Sequence, residues 1–255
     1  MRLNRIELIA VISGAVLALL FLVLGGTLVW QFAREAPPAR PNKKFTPLKF
    51  DLSKRVQIAH DPALQFGSGP FTISFWFRTT SRQRYMTFVC KREDTLGDGW
   101  IIHGQENNTF LFYSAGCASP TSSPQLFRDG QWHHLAFVRS GTTLTMFYDN
   151  QQVGSGPNTC NYRDTHPIRI GMDADAGWHF DGELAELHLY NRALTPAEIG
   201  EEWNGGNGRK TAVAGGGLIA GYHFDERSGD QAIDFSGNGH QGGLIRSAVP
   251  VGERN

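Results

Sequence analysis

The chain predicts an all-β sandwich of two antiparallel sheets, and three observations carry that expectation. Glycine and phenylalanine are abundant, 30 and 17 residues among 255. Helix-period apolar patterns are scarce beyond the first thirty or so positions, as short strands and tight turns require. The stretch Phe71–Arg78 alternates with period two: Phe71, Ile73, Phe75 and Phe77 on one face, Thr72, Ser74, Trp76 and Arg78 on the other, which marks a strand with a buried side.

The N-terminal portion differs in kind. From Leu8 to Trp30 there is no charged residue, a run of about 23 positions that as a helix crosses a hydrocarbon core. A cleaved signal peptide carries a shorter apolar region and a small-residue cleavage site; Ala33-Arg-Glu-Ala36 followed by Pro37 is a poor version of such a site. An uncleaved signal anchor at 8–30 is therefore expected after a tail of residues 1–7. Arg2 and Arg5 before the span favour a cytoplasmic N-terminus, whereas Arg34, Arg40, Lys43, Lys44 and Lys49 after it count the other way. The domain is expected outside the cytoplasm, as a single-pass membrane protein. Residues 31–47 read as a Pro-rich, solvated stalk, since prolines block helix and ladder hydrogen bonding.

Residues 48–255 form the folded domain. Leu144, Met146 and Tyr148 alternate into Asp149-Asn-Gln151, where Asn tolerates the left-handed backbone of a tight hairpin. Thr195-Pro-Ala-Glu198 spells a capping box with Pro at the first helical position, and Gly205 marks a stop, giving one short helix. The segments Gly205-Gly-Asn-Gly and Gly215-Gly-Gly flank a connector without strand signals. Asp234-Phe-Ser-Gly-Asn-Gly reads as a turn in which Gly237 and Gly239 allow positive φ. Lys+Arg and Asp+Glu balance at 24 each, so no global field draws in nucleic acid.

Three cysteines leave one outside any single-chain pairing scheme. Cys117 and Cys160 lie in polar segments where loops meet, and they are the expected disulfide; Cys90 ends an apolar run and reads as a small buried side chain.

The motifs Phe71-Thr-Ile-Ser-Phe-Trp-Phe-Arg, Asp129-Gly-Gln-Trp-His-His-Leu-Ala-Phe-Val, Ile168-Arg-Ile-Gly and Phe180-Asp-Gly-Glu-Leu-Ala-Glu-Leu-His-Leu-Tyr-Asn-Arg-Ala-Leu-Thr-Pro follow one another in order. This order resembles the laminin G-like branch of the concanavalin A-like lectin/glucanase jelly rolls, with pentraxins as more distant relatives. The resemblance implies a jelly roll that binds glycans or proteins, often through calcium. In such domains a pair like Leu218-Ile-Ala-Gly-Tyr-His-Phe and Asp234-Phe-Ser-Gly-Asn-Gly opens the domain, whereas here it closes the chain. Circular permutation, with 218–246 completing the sandwich, is one explanation; the start of a truncated second copy is the other. A tail this short does not bury a core alone, which favours permutation. Positions matching a pentraxin core disulfide are Ser74 and Ala136, so that bridge is absent.

Calcium ligands follow from the same resemblance. Gly171-Met-Asp-Ala-Asp175 is similar to a pentraxin calcium loop and Lys91-Arg-Glu-Asp-Thr95 to its partner. Carried across by position, Asp94, Asp173 and Asp175 supply side chains and Ala174 its carbonyl. Thr95 replaces an amide-bearing residue, and Asp181 approaches a second ion. Calcium requires six to eight hard oxygens; solvated turn aspartates are the alternative. Trp178, Trp100 and Tyr113 lie in or near these segments, and aromatic faces at a sandwich rim stack on sugars; Trp178 as a cap on the core is the other option. His133 and His134 are adjacent in a strand and point to opposite faces, so they do not share a metal. Asp181-Gly-Glu-Leu-Ala-Glu186 does not reproduce the Glu-x-Asp-x-x-Glu spacing of glycosidases on related jelly rolls. A binding module rather than an enzyme is expected, with a glycosidase or a purely structural domain as alternatives; the former would need two carboxylates about 5–10 Å apart in one cleft.

Overall fold

The computed structural model describes residues 45–93, 98–173, 178–226 and 229–246, together with the backbone of 23–24 and 27–28. The chain divides into the units Met1–Arg40 and Pro41–Asn255. In the first, β1 (Val23–Leu24) pairs antiparallel with β2 (Thr27–Leu28). A continuous helix is thus not seen at these four positions; the rest of the predicted span 8–30 lies outside the described residues. Among the described residues no helix is long and apolar enough to cross a membrane.

The second unit is a sandwich of two seven-stranded antiparallel sheets. Its strands are β3 (Leu48–Asp51), β4 (Lys54–Ile58), β5 (Phe71–Arg78), β6 (Tyr85–Arg92), β7 (Gly99–Gln105), β8 (Phe110–Tyr113), β9 (His133–Ser140) and β10 (Thr143–Tyr148). These are followed by β11 (Gln151–Pro157), β12 (Ile168–Ile170), β13 (Asp181–Tyr190), helix α1 (Pro196–Trp203), β14 (Leu218–Tyr222), β15 (Gln231–Ala232) and β16 (Gly242–Arg246). The first sheet runs β11-β10-β9-β5-β13-β14, with β3 also against β13; the second runs β15-β16-β4-β12-β6-β7-β8.

The alternation in β5 places its residues as expected. Phe71, Ile73, Phe75 and Phe77 enter the main core, where they meet Phe88, Phe110, Phe112 and Phe137 from other strands. The opposite face is buried as well, which period two alone does not reveal. Trp76 packs with Phe45 and Ala185, and Phe45 lies 5.3 Å from the Trp76 ring and 4.6 Å from Trp132. Phe45, assigned to the stalk from sequence, therefore belongs to the domain. Farther along this face α1 covers the sheet through Ile199, packed with Val138, Phe147 and Tyr190. Glu202 of α1 takes His188 Nδ1 at 2.6 Å and accepts the Tyr190 hydroxyl at 2.6 Å.

Local signals are realised where they were read. Thr195 and Glu198 form both halves of the capping box. The left-handed C-cap is Asn204, φ 48°, one residue before the predicted Gly205. Asp149 and Asn150 both have positive φ, 47° and 64°, and join β10 to β11 in a two-residue turn, the arrangement that matches strand twist. The Cys117–Cys160 disulfide is present, and Cys90 is buried with its Sγ donating to the Met172 carbonyl at 3.4 Å. Ser74 and Ala136 stand directly opposite each other in β5 and β9.

The tail enters both sheets. β14 pairs with Leu187–Tyr190 of β13, while β3 pairs with Asp181–Leu184 on the same edge. The front and the tail of the domain thus lie end to end along one strand. At the junction Glu186 has φ 50°, the register against β5 shifts, and the Glu186 carboxylate binds His223 Nδ1 at 2.7 Å. In the second sheet β16 pairs with β4 over five positions. Gly242 makes this approach possible, since a Cβ there would stand 2.5 Å from Val56 Cγ1.

Candidate functional site

The site is built from the ends of β6, β7 and β8 and from the hairpin that follows β12. Met86, Phe88, Ile102 and Phe112 point into the core. Their strand neighbours Tyr85, Thr87, His103 and Tyr113 therefore face outward from the second sheet. Met172 and His179 form a bridge, and Asp173 N–H donates to the Trp178 carbonyl at 3.3 Å. This pairing brings Asp173 and Trp178 over the outward face.

Arg92, the last residue of β6, is the centre of the arrangement. Its Nε donates to Asp173 Oδ1 at 3.0 Å and its Nη2 to Oδ2, a bidentate pair in which both residues are buried. Such a fork matches a carboxylate in geometry as well as charge. The guanidinium carbon lies 5.7 Å from the ring of Tyr113 and 5.7 Å from that of Trp178, a cation between two aromatic faces. Trp178 also meets Tyr85 at 4.9 Å and His103 at 5.3 Å. Tyr85, Tyr113 and Trp178 are all half-buried, so each offers part of a ring to solvent.

Beneath them lies a polar floor. His103 stands directly opposite Thr87 and is 3 % exposed. Burial pushes the His103 imidazole down to about 4, Arg92 pushes in the same direction, and Asp173 opposes them; the ring is neutral at physiological pH. Thr87 Oγ1, both ring nitrogens of His103 and Arg92 Nη1 have no hydrogen-bond partner.

Of the predicted metal ligands, Asp94, Thr95, Ala174 and Asp175 lie outside the described residues. Both oxygens of Asp173 accept from Arg92. Asp181 lines a separate cleft of about 300 Å³ with Lys49, Arg78, Thr79 and Glu183 among its walls. Asp181, expected at a second ion, lines a place of its own, and among the described residues no group of three His, Cys, Asp or Glu is gathered as a metal site. Trp100 is a correction: it is fully buried, stacked on Phe66 at 5.7 Å and Phe112 at 5.8 Å, and belongs to the core. Trp178 and Tyr113 lie against the same guanidinium, that of Arg92. In the Asp181 cleft, Glu183 is bound by Arg78, with Nε at 2.5 Å, so the cleft does not present two uncommitted carboxylates. His133 and His134 diverge: His133 binds Asp149 at 2.9 Å and Asp129 at 3.0 Å, while His134 lies against Trp76 at 5.3 Å.

Sequence reasoning passed over Arg92, Tyr85, Thr87 and His103. The available signal was their place on the outward positions of apolar strands, and for Arg92 a cation two residues before a predicted metal ligand.

Residues 52–200, more than half of the chain, match the model of the concanavalin A-like lectin/glucanases superfamily, in its laminin G group. The chain belongs to that superfamily. Similarity to curated members is partial. Human neuronal pentraxin-1 is 34% identical over 92 residues, 30% of this chain and 20% of that protein. Neuronal pentraxin-2 of Cavia porcellus is 27% identical over 146 residues, 51% of this chain and 33% of that protein. The matched part thus spans a fifth to a third of these relatives' length. Among solved structures, a candidate carbohydrate-binding protein from Bacteroides ovatus superposes with a TM-score of 0.60 at 14% identity, covering 83% of this chain and 62% of that one. Domain 4 of an extracellular GH43 arabinanase from Geobacillus stearothermophilus, in complex with arabinotriose, gives 0.50 at 18% identity, covering 61% and 75%. At these identities the likeness concerns the fold.

Proposed function

We propose that this domain is a non-catalytic binding module whose Trp178 face recognises a carbohydrate. The observation that carries the proposal is the group of three half-exposed rings, Tyr85, Tyr113 and Trp178, gathered about the buried Arg92–Asp173 pair. Aromatic faces gathered beside a buried ion pair suit a sugar ring, which stacks its C–H face and hydrogen-bonds from its edge. The superfamily and the arabinotriose complex of a structural neighbour support the same class of ligand. The uncharged run Leu8–Trp30 supports membrane attachment, and the Cys117–Cys160 disulfide supports a domain on the extracytoplasmic side. The chain order is a circular permutation in this proposal, supported by β14 and β16 joining both sheets.

A glycan array probed with the full chain in detergent tests the binding role, with Trp178→Ala beside the wild type. Binding to a defined set of glycans that the variant loses is the expected result. Absence of glycan binding, or equal binding by Trp178→Ala, would overturn it. Recovery of the intact N-terminus from a membrane fraction is the expected result for the anchor; a mature chain beginning near Pro37 would exclude it.

A further inference from the structure

We propose that the face beneath Trp178 is a metal-independent pocket for an uncharged, hydroxyl-rich ligand, a neutral sugar unit, with Arg92 Nη1, His103 and Thr87 as its hydrogen-bonding groups. The proposal rests on the carbohydrate-binding role given above and specifies its ligand.

Three buried polar residues stand on the outward side of β6 and β7: Thr87 at 0 % exposure, Arg92 at 2 % and His103 at 3 %. Their unpartnered atoms lie about one ring: Thr87 and His103 are cross-strand partners, and Trp178 stands 5.3 Å from the His103 ring and 5.7 Å from the Arg92 guanidinium. Buried polar groups left unpaired weaken the folded state, so a cluster of them marks a place where another molecule completes the bonding.

Charge balance selects the ligand class. Arg92 is compensated by Asp173, and burial keeps His103 neutral, so among the described residues of this face no net charge remains to meet an acid or an amine. A charged ligand group would enter without a counter-charge. Bonding capacity narrows it further. Arg92 only donates, the neutral imidazole donates at one nitrogen and accepts at the other, and the Thr87 hydroxyl does both. Hydroxyl groups, which donate and accept, answer that set; a carboxylate accepts only and an ammonium donates only. Rotation of the Trp178 ring away from His103, 5.3 Å beneath it, opens the floor and presents the indole face to the sugar. The cation paired with Asp173 is Arg92, and the proposed pocket needs no metal of its own.

The test is calorimetric titration of the full chain with free neutral monosaccharides and disaccharides, and with N-acetylneuraminic and glucuronic acids as charged comparators, each in calcium and in chelator. Neutral sugars should bind with the same affinity in both buffers and better than the acids. Thr87→Val keeps the shape without the hydroxyl; it should weaken binding about tenfold while melting no lower than the wild type. Thr87→Ser should retain affinity, and His103→Phe should lose it. Binding abolished by chelator, preference for the acids, or wild-type affinity in Thr87→Val and His103→Phe would overturn the pocket. If those two variants bind normally while Trp178→Ala does not, the aromatic face stands and the pocket falls. If Trp178→Ala also binds normally, the carbohydrate face itself is wrong.

Discussion

The carboxylate of Asp234 accepts the backbone N–H of Gly221 at 2.9 Å and so ties the turn after β15 to the middle of β14. The same side chain accepts N–H groups from Ser236 and His240, each at 2.9 Å, and the Ser236 hydroxyl at 2.8 Å. Burial alone would raise its pKa, but these donors outweigh burial and hold it below the usual carboxylate range. Asp234→Ala leaves three buried N–H groups without an acceptor and should cost about 2–4 kcal/mol in urea unfolding. A folded-state pKa below the unfolded one gives stability that is complete above the unfolded value and lost as pH falls through the folded one. The variant should therefore lose less stability than the wild type between about pH 4 and pH 2. A loss under about 0.5 kcal/mol would show that the turn does not depend on this carboxylate.

Truncation at Gly215 removes β14, β15 and β16 and with them the core residues Ile219, Tyr222 and Phe224. It also strips one edge of β13 and one of β4, leaving unpaired ladder groups. The product should lose its near-ultraviolet dichroism and its cooperative melt. A shortened chain that melts as the full one does would mean the tail is dispensable.

Lys91 and Asp164 form an ion pair with both side chains essentially inaccessible, and Lys91 Nζ also donates to the Asp164 carbonyl at 2.8 Å. Asp164→Asn leaves a buried ammonium without its counter-charge, and a loss of about 3–5 kcal/mol is expected. The double change Lys91→Met with Asp164→Leu should cost less than either single change. Additive losses measured by chemical denaturation would mean that the two side chains act independently.

Two buried histidines predict an acid limb above the carboxylate range. Burial lowers His134 to about 4, and burial with Arg92 lowers His103 to about 4. The unfolded chain takes up these protons first, near pH 6.5, so stability present above that pH is lost progressively down to about pH 4. Each contributes on the order of 3 kcal/mol across that window. His134→Asn should flatten the decline between pH 6.5 and 4; an unchanged slope would mean that His134 protonates freely in the fold.

Much of the architecture was legible in short stretches of chain. The alternation of β5 and β10 fixed which side chains face the core, because period two is a property of the strand itself. The capping box at Thr195 and the turn at Asp149–Asn150 depend on neighbours within a few residues, and both were found where they were read. Even Ser74 and Ala136 stand opposite each other as the resemblance required.

What the sequence determined by itself was therefore the strands, their inward faces, the local caps and turns, and the class of fold. Tertiary structure decided which outward faces are covered and which groups meet there. Trp100 and Trp178 are both aromatic residues near the same loops, yet one is a core residue and the other part of a surface site. Asp173 reads from sequence as a metal ligand; that its carboxylate also meets Arg92, 81 positions earlier, is decided by the fold. The difference is physical: a strand's period says which side chains share a face, while contact between residues so far apart in the chain depends on how the sheet edges pair and what then covers them.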